Sequence, residues 1–460
     1  MKQSCKVVAA CLSGALLSAC GGSGAFSPSL SGAGALPTDR RLVSAEPLAG
    51  ESVLYAFTGA PNAAFPYSGL LAGKHNEFYG VSNGGGTVGP SGLLDGTVYE
   101  VSSTGQERVL YDFQGGNDGG GSEAGLIADR AGNLFGATQV GGGSSACTNG
   151  CGVVFEMQPN GSGFTERVLH AFQGGSDGEL PLASLLLGKH GVLYGTTSFG
   201  GGSGCSGPSG FAGCGTVFSL TPSGSGYTEK IVYSFQGGTD GATPRDQLVA
   251  DSKGVLYGTT EFGGKTKSAC DASPSGNTTC GTVFKLTPSG NETILYRFDG
   301  GKRDGSNPRS ALLLASNGSL FGLTVFGGAA TLGAGTAYEL TPYGKRYSER
   351  VIHFFGQGSV DGARPYDPEG LTADSSGNLY GTTLLSTVSP CGCGTVFELS
   401  PTASGYGEKL LHVFAAAGDG ALPYGSVTLR KNVIYGTTYE GGGYCYGSSY
   451  SCGVVYKVRL

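Results

Sequence analysis

Apolar positions in this chain come in short runs, each broken by Gly, Pro, Ser or Asn, and the same runs return in the same order. One of them, Gly191-Val192-Leu193-Tyr194-Gly195-Thr196-Thr197, has near-copies such as Asn133-Leu134-Phe135-Gly136, Val255-Leu256-Tyr257-Gly258, Asn378-Leu379-Tyr380-Gly381 and Val433-Ile434-Tyr435-Gly436. The shared glycine stands at 80, 136, 195, 258, 322, 381 and 436, a spacing of 55 to 64 residues. Seven units follow. Repeats of that length made of strand-like runs point to a propeller or an array.

Each unit carries four runs, illustrated by the third. Leu185-Leu186-Leu187 is strand a, Leu193-Tyr194-Gly195-Thr196-Thr197 strand b, Thr216-Val217-Phe218-Ser219-Leu220 strand c and Ile231-Val232-Tyr233-Ser234-Phe235 strand d. Runs rich in β-branched and aromatic residues and bounded by turn residues read as antiparallel strands joined by hairpins, and no stretch has helical spacing. Ile231, Tyr233 and Phe235 fall on one face of strand d and Val232 on the other, so this strand is expected to be buried on both faces, as in blades packed between neighbours. The glycine inside strand b weakens a strand, and its recurrence implies a close backbone approach or an aromatic ring packed over it.

The chain ends fix the count. Val53-Leu54-Tyr55-Ala56-Phe57 is a strand d with no a, b or c before it, and the last unit stops at strand c, Val454-Val455-Tyr456-Lys457-Val458. The first strand then completes the last blade, which closes the ring and removes exposed edges. The predicted fold is an all-β, seven-bladed β-propeller of four-stranded antiparallel blades over residues 51–460.

Units of the form Gly-Asn-Leu-Tyr-Gly-Thr-Thr, Gly-Thr-Val-Phe-Glu-Leu-Thr-Pro and Val-Leu-Tyr-Xaa-Phe-Gln-Gly-Gly-Xaa-Asp-Gly resemble the GloVer tandem repeat of exported bacterial proteins. The resemblance covers residues 51–460 and implies a propeller-like fold and surface exposure. It brings no catalytic residues with it, and units one and five depart from the pattern by lacking a cysteine pair.

Composition supplies the address. Lys2 and Lys6 precede an apolar stretch from Val7 to Leu17, too short for a bilayer span of about 20 residues, so residues 1–19 read as an export signal. Leu17-Ser18-Ala19-Cys20 resembles a bacterial lipobox, by which Cys20 carries a lipid and, with Gly21 after it, sorts to the outer membrane. Residues 20–50 are rich in Gly, Ser, Ala and Pro and read as a flexible tether. The formal net charge of −6 and the absence of a Lys/Arg cluster leave no footprint for nucleic acid, and a monomer is expected.

Ten cysteines fall as neighbours between strands b and c: Cys147/Cys151, Cys205/Cys214, Cys270/Cys280, Cys391/Cys393 and Cys445/Cys452. Their position in the repeat selects five local disulfides in an oxidising compartment. Cys391 and Cys393, two residues apart, make the weakest case. Zinc is rejected because the pairs sit on different units.

Function is sought where the repeat varies. The position after the recurrent proline, where strand a begins, should line the channel mouth; it holds Tyr67, Leu182, Arg245, Arg309, Tyr366 and Tyr424, with Glu123 by alignment in unit two. Tyrosine beside arginine suits stacking on sugar rings or anchoring a partner, on the face that carries the long b-to-c loops and the d-to-a loops. The competing reading is that these residues plug the channel. The loop aspartates Asp118, Asp177, Asp240, Asp304, Asp361 and Asp419 read as turn residues, since one per loop falls short of a calcium site. His170, His353 and His412 replace the tyrosine of strand d and are set aside as ligands or bases. Glu166-Arg167 and Glu349-Arg350 read as outer-edge pairs that solubilise the rim. No activated nucleophile, metal or cofactor site stands out. The expectation is an exported, lipid-anchored module that binds glycan or protein; the alternatives are a carbohydrate-active hydrolase or lyase with a Tyr/Arg/Glu mouth, or a purely structural envelope protein.

Overall fold

The computed structural model describes residues 50–89, 92, 94–161, 163–202, 204–205, 212–265, 270, 279–328, 334–344, 346–357, 361–388, 391–403, 405–416, 418–442, 445 and 451–460. The expected export signal, Cys20 and the expected tether, residues 1–49, lie outside the described residues. Seven antiparallel blades make up the rest. Blade 3 is Leu186–Leu187 (a), Leu193–Thr197 (b), Thr216–Ser223 (c) and Gly226–Ser234 (d), paired in that order. Blades 1, 2 and 4 repeat the pattern, and blades 5 and 6 add a short strand, Gly305–Pro308 and Gly362–Pro365, against strand b.

Blade 7 is made from both ends of the chain. Thr428–Arg430, Val433–Thr438 and Val454–Arg459 supply a, b and c, and Glu51–Ala56 supplies d. The closing pair is antiparallel, with Glu51 opposite Val458, Val53 opposite Tyr456 and Ala56 opposite Val454. The expected ring closure is therefore present, and strand c of blade 7 is not left as an open edge.

Burial runs inward. Strand b of blades 2 and 4 is buried throughout, as are the opening residues of strand c, whereas strand d is only half-buried along its length. This corrects the expectation of a doubly buried strand d. It is the outermost strand of each blade, and a bulge at Val232 shifts its register between Ile231 and Tyr233, so that only Phe235 beyond the strand is fully enclosed.

The strand b glycine is explained by the ring expected over it. In blade 3 a Cβ on Gly195 would lie 2.5 Å from Cζ of Phe218 on strand c, and Gly136, Gly258 and Gly381 meet Phe155, Phe284 and Phe397 in the same way. Phe155, Phe218 and Phe284 in turn meet the previous blade edge-on, as Phe172 meets Phe218 at 5.1 Å, and Phe397 meets Phe355 at a tilt. Blade-to-blade adhesion is thus an aromatic relay that needs a residue without a side chain in the adjacent strand.

All five expected disulfides are formed: Cys147 to Cys151, Cys205 to Cys214, Cys270 to Cys280, Cys391 to Cys393 and Cys445 to Cys452. Among the described residues no helix is long and apolar enough to cross a membrane.

Candidate functional site

A recurrent kink delivers the mouth residues. The residue before each recurrent proline, Phe65, Leu180, Thr243, Asn307, Arg364 or Leu422, has a φ between 55° and 58°, a left-handed conformation that costs a non-glycine residue of order 1–3 kcal/mol. The cost is offset by a bond from the kink amide to the b-to-c loop of the preceding blade. Leu180 donates to the carbonyl of Cys151 at 3.0 Å, Thr243 to Cys214 at 2.8 Å, Asn307 to Cys280 at 2.8 Å, Leu422 to Cys393 at 3.0 Å and Phe65 to Cys452 at 3.1 Å.

The cysteines therefore do more than the sequence reading assigned to them. That reading makes each pair a staple local to one unit. In the structure Cys151, Cys214, Cys280, Cys393 and Cys452 also hold the turn that aims strand a of the next blade into the channel. Cys452 departs furthest from a local role, because its partner Phe65 lies in blade 1, across the point where the ring closes. In the units without cysteines, Ala334 accepts from Arg364, and Asp95 accepts from Gly121, the glycine that occupies the equivalent place.

The mouth residues meet. Arg245 (blade 4) lies 3.9 Å from Glu123 (blade 2) and 3.4 Å from Glu261, and Arg309 (blade 5) also binds Glu261. On the other side Tyr67 (blade 1) and Tyr424 (blade 7) stack with ring centres 4.5 Å apart, and Tyr67 donates to the hydroxyl of Tyr366 (blade 6) at 3.1 Å. Arg309 joins the halves, its guanidinium carbon 5.7 Å from the Tyr366 ring centre, within cation–π range. Leu182 occupies the equivalent place in blade 3, half-buried.

This layer is largely closed. Arg245 and Tyr366 are buried, 8% and 4% exposed, so the reading in which the ring plugs the channel holds for these two. The outer surface of the layer is made by Arg309, whose side chain keeps 26% of its exposure, with Tyr67 and Tyr424 half-buried beside it. Burial raises the carboxyl of Glu123, against the pull of Arg245 and Arg309, and raises the Tyr67 hydroxyl strongly. Beneath lies a second polar level: Asp246, pushed up to about 7 by burial and bonded by Thr259 at 2.9 Å, and Asp367, bonded by Ser426 and raised well above the carboxylate range by burial. Further along the channel, Glu369 accepts from Gly69, Ser184 and Ser426 at the wall of a cavity of about 240 Å³.

The repeat itself is recognised beyond the fold. The family described as the Gloeobacter/Verrucomicrobia repeat matches residues 42–269 and 271–459. The chain belongs to that family. No curated protein matches it. Solved structures that resemble it include a putative 6-phosphogluconolactonase from Bacteroides fragilis (12% identity, 81% of this chain and 89% of that one, TM-score 0.45) and a luciferin-regenerating enzyme (14%, 73% and 91%, 0.42). The PQQ-bound aldose sugar dehydrogenase of Streptomyces coelicolor is another (12%, 90% and 100%, 0.39).

In this Gloeobacter/Verrucomicrobia repeat protein, two mouth residues escaped the sequence reading. Glu261 and Tyr439 stand third after the strand b glycine, at the exit of strand b, where other units have Gln139, Ser198, Val325 and Leu384. The second threonine of Gly-Thr-Thr places them: Thr260 and Thr438 each bond the carbonyl two residues on at 2.8 Å. Glu261 and Tyr439 also donate backbone bonds to the kink, to Thr243 at 3.1 Å and Leu422 at 3.0 Å. This position varies while its neighbours repeat, the same signal that singled out the start of strand a.

The outer-edge pairs are also corrected. Arg167 binds Glu156 across the hairpin and Arg350 binds Glu339 at 2.8 Å, whereas Glu166 and Glu349 turn inward toward Asp118 and Asp304 of the preceding unit. The loop aspartates serve as turn residues, as expected: Asp118 takes the Gln114 amide at 2.7 Å and Asp240 the Gln236 amide at 2.7 Å. Each also reaches the tyrosine or histidine of strand d, a contact the turn reading did not include.

Proposed function

We propose that the protein is an exported, lipid-anchored monomer that binds a glycan or a protein on its loop-bearing face and performs no chemistry there. The observation that carries this reading is the stacked Tyr67–Tyr424 pair beside the partly exposed Arg309, on a surface built only from positions where the repeat varies. A flat pair of phenol rings next to a cation offers a sugar ring apolar stacking and a hydroxyl partner together. The disulfide-bonded cysteines whose carbonyls hold the kinks keep the mouth residues in position, which lowers the cost of binding. The five disulfides fit an oxidising, extracytoplasmic location, and the lipid on Cys20 is the anchor this reading assigns.

The test uses Tyr424→Ala and Arg309→Ala, both near the surface, in the mature protein on a glycan array and against envelope extracts. Binding that falls at least tenfold in both variants, with unchanged circular dichroism, supports the module. Reducing ends released from a polysaccharide by the wild type, and not by the variants, would instead establish the carbohydrate-active enzyme. No response in either assay would leave a structural envelope protein. Cys20→Ser, followed by membrane fractionation, tests the anchor independently.

A further inference from the structure

Near the end of strand d the repeat places a tyrosine or a histidine, then an aspartate in the following loop, and the next unit's strand d turns a glutamate toward the pair. In units one, three and four the tyrosine hydroxyl satisfies the aspartate: Tyr111 donates to Asp118 at 2.6 Å, Tyr233 to Asp240 at 2.7 Å and Tyr296 to Asp304 at 3.0 Å. Histidine stands in three units, and the fifth differs from the other two. His170 and His412 approach Asp177 and Asp419 to 3.3 Å. His353 Nε2 instead lies 3.7 Å from Asp361 Oδ1 and 3.8 Å from Glu408 Oε1.

Those three atoms face one another. Nε2 of His353, Oδ1 of Asp361 and Oε1 of Glu408 are buried and have no hydrogen-bond partner among the described residues, and the Asp361 side chain is only 3% exposed. A hydrogen bond to nitrogen spans about 2.7–3.2 Å, so these separations are too long for direct bonds. They suit ligands on one ion, because bonds of about 2.0–2.2 Å set tetrahedral ligands roughly 3.4 Å apart. All three atoms lie within 4.8 Å of one another. Among the described residues the other such group contains Cys147 and Cys151, which are bonded to each other.

We propose that His353, Asp361 and Glu408 form a site for one divalent first-row transition ion of the zinc type, which ties blade 5 to blade 6. An imidazole nitrogen with two carboxylate oxygens suits zinc, manganese or iron(II) rather than calcium, which takes oxygen ligands. The surroundings hold the ligands in place. Gln357 donates its amide to the other oxygen of Asp361 at 2.7 Å, Thr387 accepts the Asp361 amide at 3.0 Å, and the His353 ring sits edge-on to Phe355 at 4.7 Å. Outer partners of this sort fix ligand orientation. Unit five is also one of the two without a cysteine pair, so an ion here would staple a region that has no disulfide.

The experiment titrates cobalt(II) and zinc into the untagged, chelator-treated mature protein, following the visible cobalt bands and the thermal midpoint. His353→Tyr is the decisive variant, since tyrosine fills this position in units one, three and four and preserves the fold. One equivalent of cobalt is expected to bind, zinc is expected to displace it and raise the midpoint, and both effects should vanish in His353→Tyr and weaken in Glu408→Gln by more than the roughly 10–100-fold that loss of an outer partner costs. His170→Tyr and His412→Tyr are expected to bind as the wild type does. No stoichiometric binding by the wild type, undiminished binding by His353→Tyr, or loss in His170→Tyr or His412→Tyr would each overturn the proposal. The first of these would leave two carboxylates sharing a proton.

Discussion

Arg245 of blade 4 lies 3.9 Å from Glu123 of blade 2, spanning the place where blade 3 contributes only Leu182. The contact skips a blade because the ring narrows at the axis, where a long side chain can reach past a shorter neighbour. It also means that the channel plug holds non-adjacent blades together.

Loss of the guanidinium should therefore be felt as stability. Arg245→Met strands Glu123 and part of Glu261 in a buried site, and breaking a buried pair costs about 3–5 kcal/mol. The expected fall in urea unfolding free energy is near the lower figure, because Arg309 still serves Glu261. Adding Glu123→Gln should recover part of the loss. A double-mutant cycle that gave no coupling between the two positions would rule out this pairing.

The aromatic relay makes a sharper case. Gly195→Ala sets a methyl 2.5 Å from the Phe218 ring, and overpacking of this kind costs about 1–3 kcal/mol. Phe218→Leu alone should also destabilise, by leaving a cavity. Combined, the two should cost less than their sum, which thermal unfolding of the single and double variants measures directly. Strict additivity would mean that ring and glycine do not share the space.

The propeller was legible because its determinants repeat: seven glycines, seven strand c runs, a lone strand d at the start and a last unit that lacks one suffice to count and close the blades. The mouth was half legible. Tyr67, Glu123, Arg245, Arg309, Tyr366 and Tyr424 were found as variation at one fixed place. Glu261 and Tyr439 stand at a second variable place, the exit of strand b, which the Gly-Thr-Thr motif aims at the mouth only through the threonine bonds of the folded chain. What no pattern of letters could supply was partnership. Arg245 was expected to face a ligand and is instead held by two carboxylates, since the channel is narrow enough for opposite blades to touch. Cys452 was paired correctly with Cys445, but its carbonyl bond to Phe65 joins residues at opposite ends of the chain, which spacing within a unit cannot reveal. Glu166 looked like a surface residue beside Arg167, yet it faces the preceding unit, because alternation along strand d places neighbouring residues on opposite faces.

The inward glutamates predict an unusual pH response. Burial, with Asp118, Asp240 and Asp304 close by, pushes the carboxyls of Glu166, Glu292 and Glu349 up to about 7. In the unfolded chain a glutamate releases its proton near about 4.3. Between those values the folded state binds more protons, so stability falls as pH rises through this window and is fully present below it. The guanidinium midpoint should be higher at pH 5 than at pH 8, and the triple variant Glu166→Gln, Glu292→Gln, Glu349→Gln should flatten the difference. An unchanged slope in that variant would assign the effect elsewhere.

Closure by the first strand gives the last prediction. Gly50 and Arg459 are adjacent, joined by a bond from the Arg459 amide to the Gly50 carbonyl at 3.3 Å, so a two-residue hairpin turn can link Leu460 to Gly50 without moving either strand. New ends can be opened at Gly161, an exposed hairpin tip in blade 2 whose substitution meets nothing nearby. Such a permutant keeps Glu51–Ala56 paired with Val454–Arg459 and should unfold cooperatively, with a thermal midpoint within a few degrees of the wild type. Deleting Glu51–Ala56 instead leaves Val454–Arg459 as a bare apolar edge, and the product should lose cooperativity and aggregate. A deletion protein that stayed monomeric and melted like the wild type would show that the ring does not depend on the strand that closes it.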